Sequence, residues 1–207
     1  MSTTIYSLDD VKAQVILPSA FGIKVVNNKK NSITDANFAN AGFFTTLDNN
    51  TTFPVGHLVV NGEIISNAET SPSWINLTGH TLSTLIVYND NRIDMKRIAD
   101  ISKEPDVKYA ISGIPILKDG WNVIDKYDEG YFGNETYYTW HNFIGIRGDK
   151  IVIVGSKCRR WEMPYLMEVF GLNDSIKLDG GGSYIMHSGD LTVKTNENRR
   201  IHNIITW

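Results

Sequence analysis

With a single cysteine, Cys158, among its 207 residues the chain has no intramolecular disulfide, and its core must hold by packing alone. Prolines number only six, and no repeat, Pro-rich linker or polar low-complexity tail interrupts the sequence. With no shift in composition along its length, residues 1–207 read as one globular domain. No apolar run approaches the roughly 20 residues that span a bilayer, which excludes a membrane-spanning helix. The opening stretch MSTTIYSLDDVKAQVILPSAFG has no basic segment ahead of an apolar one, so no leader is read there and a cytoplasmic location is expected. Basic residues are in slight deficit, 20 Lys and Arg against 23 Asp and Glu, and the short clusters NNKK, SKCRR and ENRR are interspersed with acids. Nucleic acid is therefore not an expected partner.

What the chain does have is short β-branched and aromatic runs between Gly, Asn and Asp clusters: GIKVV, HLVVNGEIIS, STLIVYND, VKYAISGIPIL, FIGIRGDKIVIVG, SIKLD and RIHNIITW. The NG of LVVNGEII and the GD of IRGDKIVIV fit hairpin turns. Helix signals are fewer. RRWEMPYLMEVFGLND places Pro164 in a first turn, repeats Tyr165, Leu166, Val169 and Phe170 at helical spacing and stops at Gly171. A shorter helix is expected around NRIDMKRIAD, and a helical turn within SITDANFANAG before Asn40. The expected fold class is α+β, a strand-rich mixed-sheet core with a few short helices. The apolar C-terminal HNIITW fits a central strand or a surface covered by another subunit, which leaves homo-oligomerisation open.

The most unusual stretch is KLDGGGSYIM, residues 177–186. Three adjacent glycines lose the most backbone entropy on ordering and pack nothing. Asp179 at a strand tip followed by Gly180, Gly181 and Gly182 gives two readings: a tight turn with a capping aspartate, or a concave set of N–H donors for a phosphate with a carboxylate beside it. It is neither a Walker loop nor a dinucleotide fingerprint, since the lysine and the GxGxxG spacing are missing. NAGFF (40–44) suggests a backbone bend walled by aromatics, which alone reads as core, and SGIPILKDG (112–120) alone says little. Histidines 57, 80, 141, 187 and 202 show no metal-ligand spacing, so no metal or cofactor is expected. His57 and His187, next to these stretches, are pocket-lining candidates. Lys157, Arg159 and Arg160 around Cys158 would favour a thiolate, without any catalytic context. Ser183 lacks a GxSxG elbow and suits phosphate binding better than nucleophilic attack. The triplets at Asn50, Asn76 and Asn134 match the glycosylation pattern but are expected by chance in an asparagine-rich chain.

The order NAGFF, PVGHLVVNGEII, SGIPILKDG, HNFIGI, a helix into IKLDGGGSYIM, and RRIHNIITW resembles the phosphodiester glycosidase family from about residue 38 onward. The resemblance implies a bend at Asn40 and Gly42 (with Ala41 in place of a glycine), the element Asp179 to Ser183, and an arginine motif matched by Arg199, Ile201 and Asn203. It also implies an arginine and a threonine before the IGI strand, where this chain has His141 and Asn142, and only a charged His141 could substitute.

The implied activity is hydrolysis of a glycosidic bond to phosphate in a sugar phosphodiester or nucleotide-sugar-like compound. Asp179 is the leading catalytic carboxylate, with Glu63 of the NGEII turn second and His141, if charged, assisting. Asn40, Gly42, Ser112, Gly113, Gly180, Gly181, Gly182, Ser183 and Arg199 are the expected substrate-binding set. The alternative is a non-hydrolytic phage protein, acting in the host cytoplasm, that sequesters a phosphorylated sugar or a signal nucleotide of a bacterial defence system.

Overall fold

The computed structural model describes residues 5–8, 10–46, 51–67, 82–124 and 138–207. Asn50, Asn76 and Asn134 of the three triplets, and His80, lie outside them. In chain order the strands are β1 (Ile5–Leu8), β2 (Val11–Ile16), β3 (Gly22–Lys29), β4 (Asn37–Asn40), β5 (Phe44–Thr46), β6 (Thr52–Pro54), β7 (Leu58–Val60), β8 (Glu63–Ser66) and β9 (Ser83–Tyr88). There follow β10 (Ile93–Lys96), β11 (Val107–Lys118), β12 (Trp121–Asn122), β13 (Thr139–Arg147), β14 (Lys150–Cys158), helix α1 (Met163–Val169), β15 (Asp174–Gly180), β16 (Ile185–Ser188), β17 (Leu191–Lys194) and β18 (Arg200–Thr206).

A large sheet runs β1-β2-β14-β13-β15-β11-β7-β8, with β9 and β12 also on β11 and β10 on β9. A second sheet runs β17-β16-β4-β18-β3, and β5 pairs with β6. Every strand pairing among the described residues is antiparallel, so the expected mixed sheet is corrected. With one α-helix among these residues, the molecule is mostly β, and the α+β expectation holds only in its strand-rich part.

The large sheet is buried on both faces, which accounts for the unbroken apolar IVIV of β14. Ile151 and Ile153 face Ile23, Ala39, Met186 and Ile205 of the second sheet, while Val152 and Val154 join Met163 and Met167 of α1 on the other face. Strand β15 alternates likewise: Ile176 and Leu178 enter the inter-sheet core, which turns Lys177 to the opposite face, and the strand then bulges against β13 between Lys177 and Gly180.

Both expected hairpins form. Asn61 and Gly62 carry positive φ (51° and 82°) between β7 and β8, the geometry of a type I′ turn, and Gly148 (φ 61°) opens the β13–β14 turn. Helix α1 starts with Pro164 in its first turn and stops at Gly171 (φ 69°), but its buried face is Met163, Pro164 and Met167, leaving Tyr165 and Val169 exposed.

NRIDMKRIAD is not a helix. Asn91 (φ 66°) turns the chain back, Ile93 and Met95 alternate toward the core as β10, and only a single 3-10 turn at Ile101–Lys103 follows. SITDANFANAG is corrected as well: the 3-10 turn lies earlier, at Lys30–Ser32, and β4 leads into Asn40. The C-terminal run is a central strand, β18, between β4 and β3.

Gly113 lets β11 and β15 meet closely: a Cβ there would stand 2.5 Å from the Lys177 carbonyl oxygen and 3.1 Å from Ile176 Cβ. Main chain cannot give way as a side-chain tip can. Gly113→Ala is therefore expected to destabilise the fold by about 2–3 kcal/mol, read as a lower urea midpoint at unchanged slope.

Candidate functional site

The glycine turn is where the chain crosses from one sheet to the other. Strand β15 ends at Gly180 in the large sheet, a single 3-10 turn covers Gly181–Ser183, and β16 begins the return through the second sheet. Gly181 needs its positive φ (56°), and Gly180 needs its missing side chain, since a Cβ would stand 2.6 Å from the Trp140 carbonyl oxygen. Adjacent glycines thus have a steric cause here as well as a chemical use.

Two asparagines tie this joint together. Asn40 donates from Nδ2 to the Asp179 carbonyl (3.0 Å) and accepts at Oδ1 from the Ile185 amide (2.9 Å) and from Asn142 Nδ2. Asn203 accepts at Oδ1 from the Gly42 amide (2.7 Å), while its carbonyl accepts from the Ala41 amide (3.2 Å), and the Asp179 amide donates to the Ala41 carbonyl (3.0 Å). Asn40 and Gly42 therefore act as the frame of the turn rather than as its surface.

From beneath, the buried Lys30 donates to the carbonyls of Gly182 (2.8 Å) and Tyr184 (3.3 Å) and to Thr195 Oγ1 (2.7 Å). Burial pushes this lysine down to about 8, with Glu197 opposing. Thr195 Oγ1 also donates to the Gly181 and Gly182 carbonyls (3.2 and 3.0 Å). With its carbonyls drawn inward, the turn leaves the N–H groups of Gly181 and Gly182 at its open start, where intrahelical acceptors do not exist.

The charged groups follow. Part of Asp179 reaches solvent, yet its carboxyl is enclosed, and burial pushes it above the usual carboxylate range. The Ser183 hydroxyl, the Lys177 ammonium, the Gly180 amide (2.9 Å to Oδ1) and the Arg199 guanidinium pull it back. The Ser183 hydroxyl is buried beside this carboxyl without an aligned hydrogen bond. Lys177 is 5% exposed, lies 4.7 Å over the Phe43 ring, and is pushed down to about 8 by burial, opposed by Asp179 and Cys158.

Arg199 is exposed and holds Glu197 Oε2 through Nε (3.1 Å) and Nη2 (2.8 Å). Both side chains rest on Gly182, where a Cβ would collide with the Glu197 carboxylate and stand 2.9 Å from Arg199 Cζ. A carboxylate, an arginine and bare main chain thus converge at residues 179–182.

Other candidates are placed elsewhere or play other parts. His141, opposite Gly180, is pushed down to about 2 by burial and by the Lys177 charge, so it is neutral and cannot act as a phosphate-holding cation. Its Nδ1 is buried without a partner among the described residues. Ser112 is buried with its hydroxyl on the His57 amide (2.9 Å) and Thr84 Oγ1 (2.8 Å), and Gly113 is the strand contact already described. Glu63 is exposed on the edge strand β8 and is not among the groups acting on Asp179. His57 Nε2 lies 2.8 Å from the Ile98 carbonyl, and His187 Nδ1 2.7 Å from Thr192 Oγ1. Among the described residues no group of three His, Cys, Asp or Glu is arranged to hold a metal.

The basic neighbours of Cys158 do not make it a thiolate: burial pushes the thiol up to about 12. A thiol reagent at pH 8 is expected to leave native protein unmodified and to label it fully only in denaturant, which an absorbance assay reads directly.

Sequence reasoning overlooked Lys177, Lys30 and Glu197. For Lys177 a signal existed: it stands between Ile176 and Leu178, and a lysine in a doubly buried strand needs a reason. Lys30 lies in a polar cluster that reads as surface, and Glu197 gains meaning only once Gly182 is seen beneath it.

The phosphodiester glycosidase family profile matches residues 33–206. The chain belongs to that family. No curated protein matches the sequence. The catalytic domain of zebrafish N-acetylglucosamine-1-phosphodiester alpha-N-acetylglucosaminidase, auto-inhibited by its pro-peptide, superposes with a TM-score of 0.70 at 14% identity, over 99% of this chain and 81% of that one. A putative exported protein from Burkholderia pseudomallei gives 0.66 at 10% identity, over 95% and 73%. A hypothetical protein from Synechocystis gives 0.60 at 12% identity, over 99% and 61%. At these identities the structures establish the fold alone. Within this family member the site holds a neutral His141 and a buried Lys177.

Proposed function

We propose that this protein hydrolyses the bond between an anomeric carbon and a phosphate, in a sugar phosphodiester or a nucleotide-sugar-like compound. The observation that carries the reading is the meeting of the Asp179 carboxyl and the Arg199 guanidinium at the Gly180–Gly182 main chain. The phosphate occupies the open N–H groups of Gly181 and Gly182, with Arg199 turning from Glu197 to a phosphate oxygen. The C1–O bond breaks with its electron pair going to the phosphate monoester, a good enough leaving group to need little acid assistance. Asp179 works at the anomeric carbon, as the base that takes a proton from the attacking water or as the nucleophile that water later displaces.

A second reading is that the protein sequesters a phosphorylated sugar or signal nucleotide without cutting it, as a phage-encoded counter to bacterial defence. It is favoured by one observation, the neutral His141 where a permanent cation would help position the phosphate. Incubation with a model glycosyl phosphodiester separates the two. Sugar and phosphate monoester released in step with protein concentration support hydrolysis, and intact ligand recovered from a stable complex supports sequestration.

A further inference from the structure

We propose that Lys177 is the positioning residue of the site, its buried ammonium keeping the Asp179 carboxyl anionic while that carboxyl is enclosed by protein. The proposal rests on Asp179 being the working carboxylate, and extends that reading to what charges it.

The Lys177 ammonium donates to the Leu178 carbonyl (3.3 Å), at the peptide that joins Asp179, where β15 bulges against β13. An enclosed carboxyl takes up a proton unless an opposite charge lies close by. Among the titratable neighbours on the surrounding elements, His141 on β13 is neutral, and Cys158 on β14 keeps its proton through the physiological range. Arg199, ahead of β18, is charged but exposed and shared with Glu197, so solvent screens it and a carboxylate already neutralises it. The bend at Asn40–Phe43 contributes no ionisable group, only the Phe43 ring on which the ammonium rests at 4.7 Å. Lys30, buried beneath the turn, is held by the Gly182 and Tyr184 carbonyls and Thr195, so that among the described residues Lys177 is the interior cation acting on Asp179.

The lysine is costly to bury, as its own displacement toward neutrality records. A strand needing only packing at this position would be better served by leucine or methionine. Its presence two residues before the carboxylate is what a tuned acid or base requires.

The test is a carbon-13 NMR titration of the Asp179 carboxyl in the whole protein, wild type against Lys177→Met and Lys177→Gln, with Lys177→Arg as the conservative variant. The midpoint is expected to rise by about one pH unit or more in Met and Gln, and to stay within a few tenths in Arg. Two neutral variants guard against one failing to fold, which far-UV circular dichroism checks. An unchanged midpoint in folded Met or Gln protein overturns the proposal. The acid limb of kcat/KM on the glycosyl phosphodiester should move with the same midpoint. Absence of turnover in every variant would count against the hydrolytic reading alone, because the titration needs no substrate.

Discussion

Asp179→Asn is expected to lower kcat/KM by at least about 10³-fold, the scale of losing a positioned base or nucleophile, while leaving the fold intact. Asparagine keeps an oxygen for the Gly180 amide, so the turn is not orphaned. Stability should move the other way. Burial raises the carboxyl of the folded protein above its unfolded value, so proton uptake favours the folded state. That contribution is complete at low pH and is lost as pH rises through the raised folded value. The amide of the Asp179→Asn variant does not titrate and suffers no such loss. The variant is expected to melt at or above the wild-type temperature at pH 8, with the difference shrinking as pH falls toward 4. A lower melting temperature at pH 8 would instead mean that the loss of the Lys177 counter-charge or of the Gly180 cap outweighs the relief of enclosing a carboxylate.

Asn40→Ala is expected to give the largest loss of stability among single polar substitutions at the site. It strips partners from the Ile185 amide and the Asp179 carbonyl, and leaves Asn142 Nδ2 with only the main-chain carbonyl of residue 40 (2.9 Å), in a joint where Asn40 is 1% exposed. Buried groups left unpaired cost about 1–3 kcal/mol each, so a total near 3–5 kcal/mol follows after partial relaxation. In a chain of this size that lowers Tm by about 10 °C or more. Thermal denaturation followed by circular dichroism measures it. A change below about 2 °C would mean that the two sheets hold the turn without the asparagine.

These two residues also show what the sequence made legible. DGGGS stood out as a candidate because it sets a carboxylate beside three glycines, and the crossing between sheets gives Gly180 and Gly181 a steric reason to be bare. The role of Asn40 was not legible, since an asparagine beside a glycine looks the same whether it faces a ligand or two buried main-chain groups and a buried asparagine. Hairpins with a left-handed Asn-Gly pair and a helix bounded by Pro164 and Gly171 announce themselves through local stereochemistry. NRIDMKRIAD did not, because Ile93 and Met95 fit either period over so short a run and the decision came from pairing with β9. Charge was the least legible quantity. His141 is neutral because of the depth at which β13 lies and the Lys177 charge on the neighbouring strand, neither of which is written in HNFIGI.

Gly182, Glu197 and Arg199 mark the spot where an anion would rest on bare main chain beside Asp179, and Glu197 already places a carboxylate there. The most direct measurement is a crystal structure of the Asp179→Asn protein with an uncleaved glycosyl phosphodiester. The phosphorus is expected against the Gly181–Gly182 main chain, with Arg199 turned from Glu197 onto a phosphate oxygen and the anomeric carbon beside residue 179. A phosphate seated elsewhere, with Arg199 still on Glu197 and the sugar out of reach of residue 179, would contradict it.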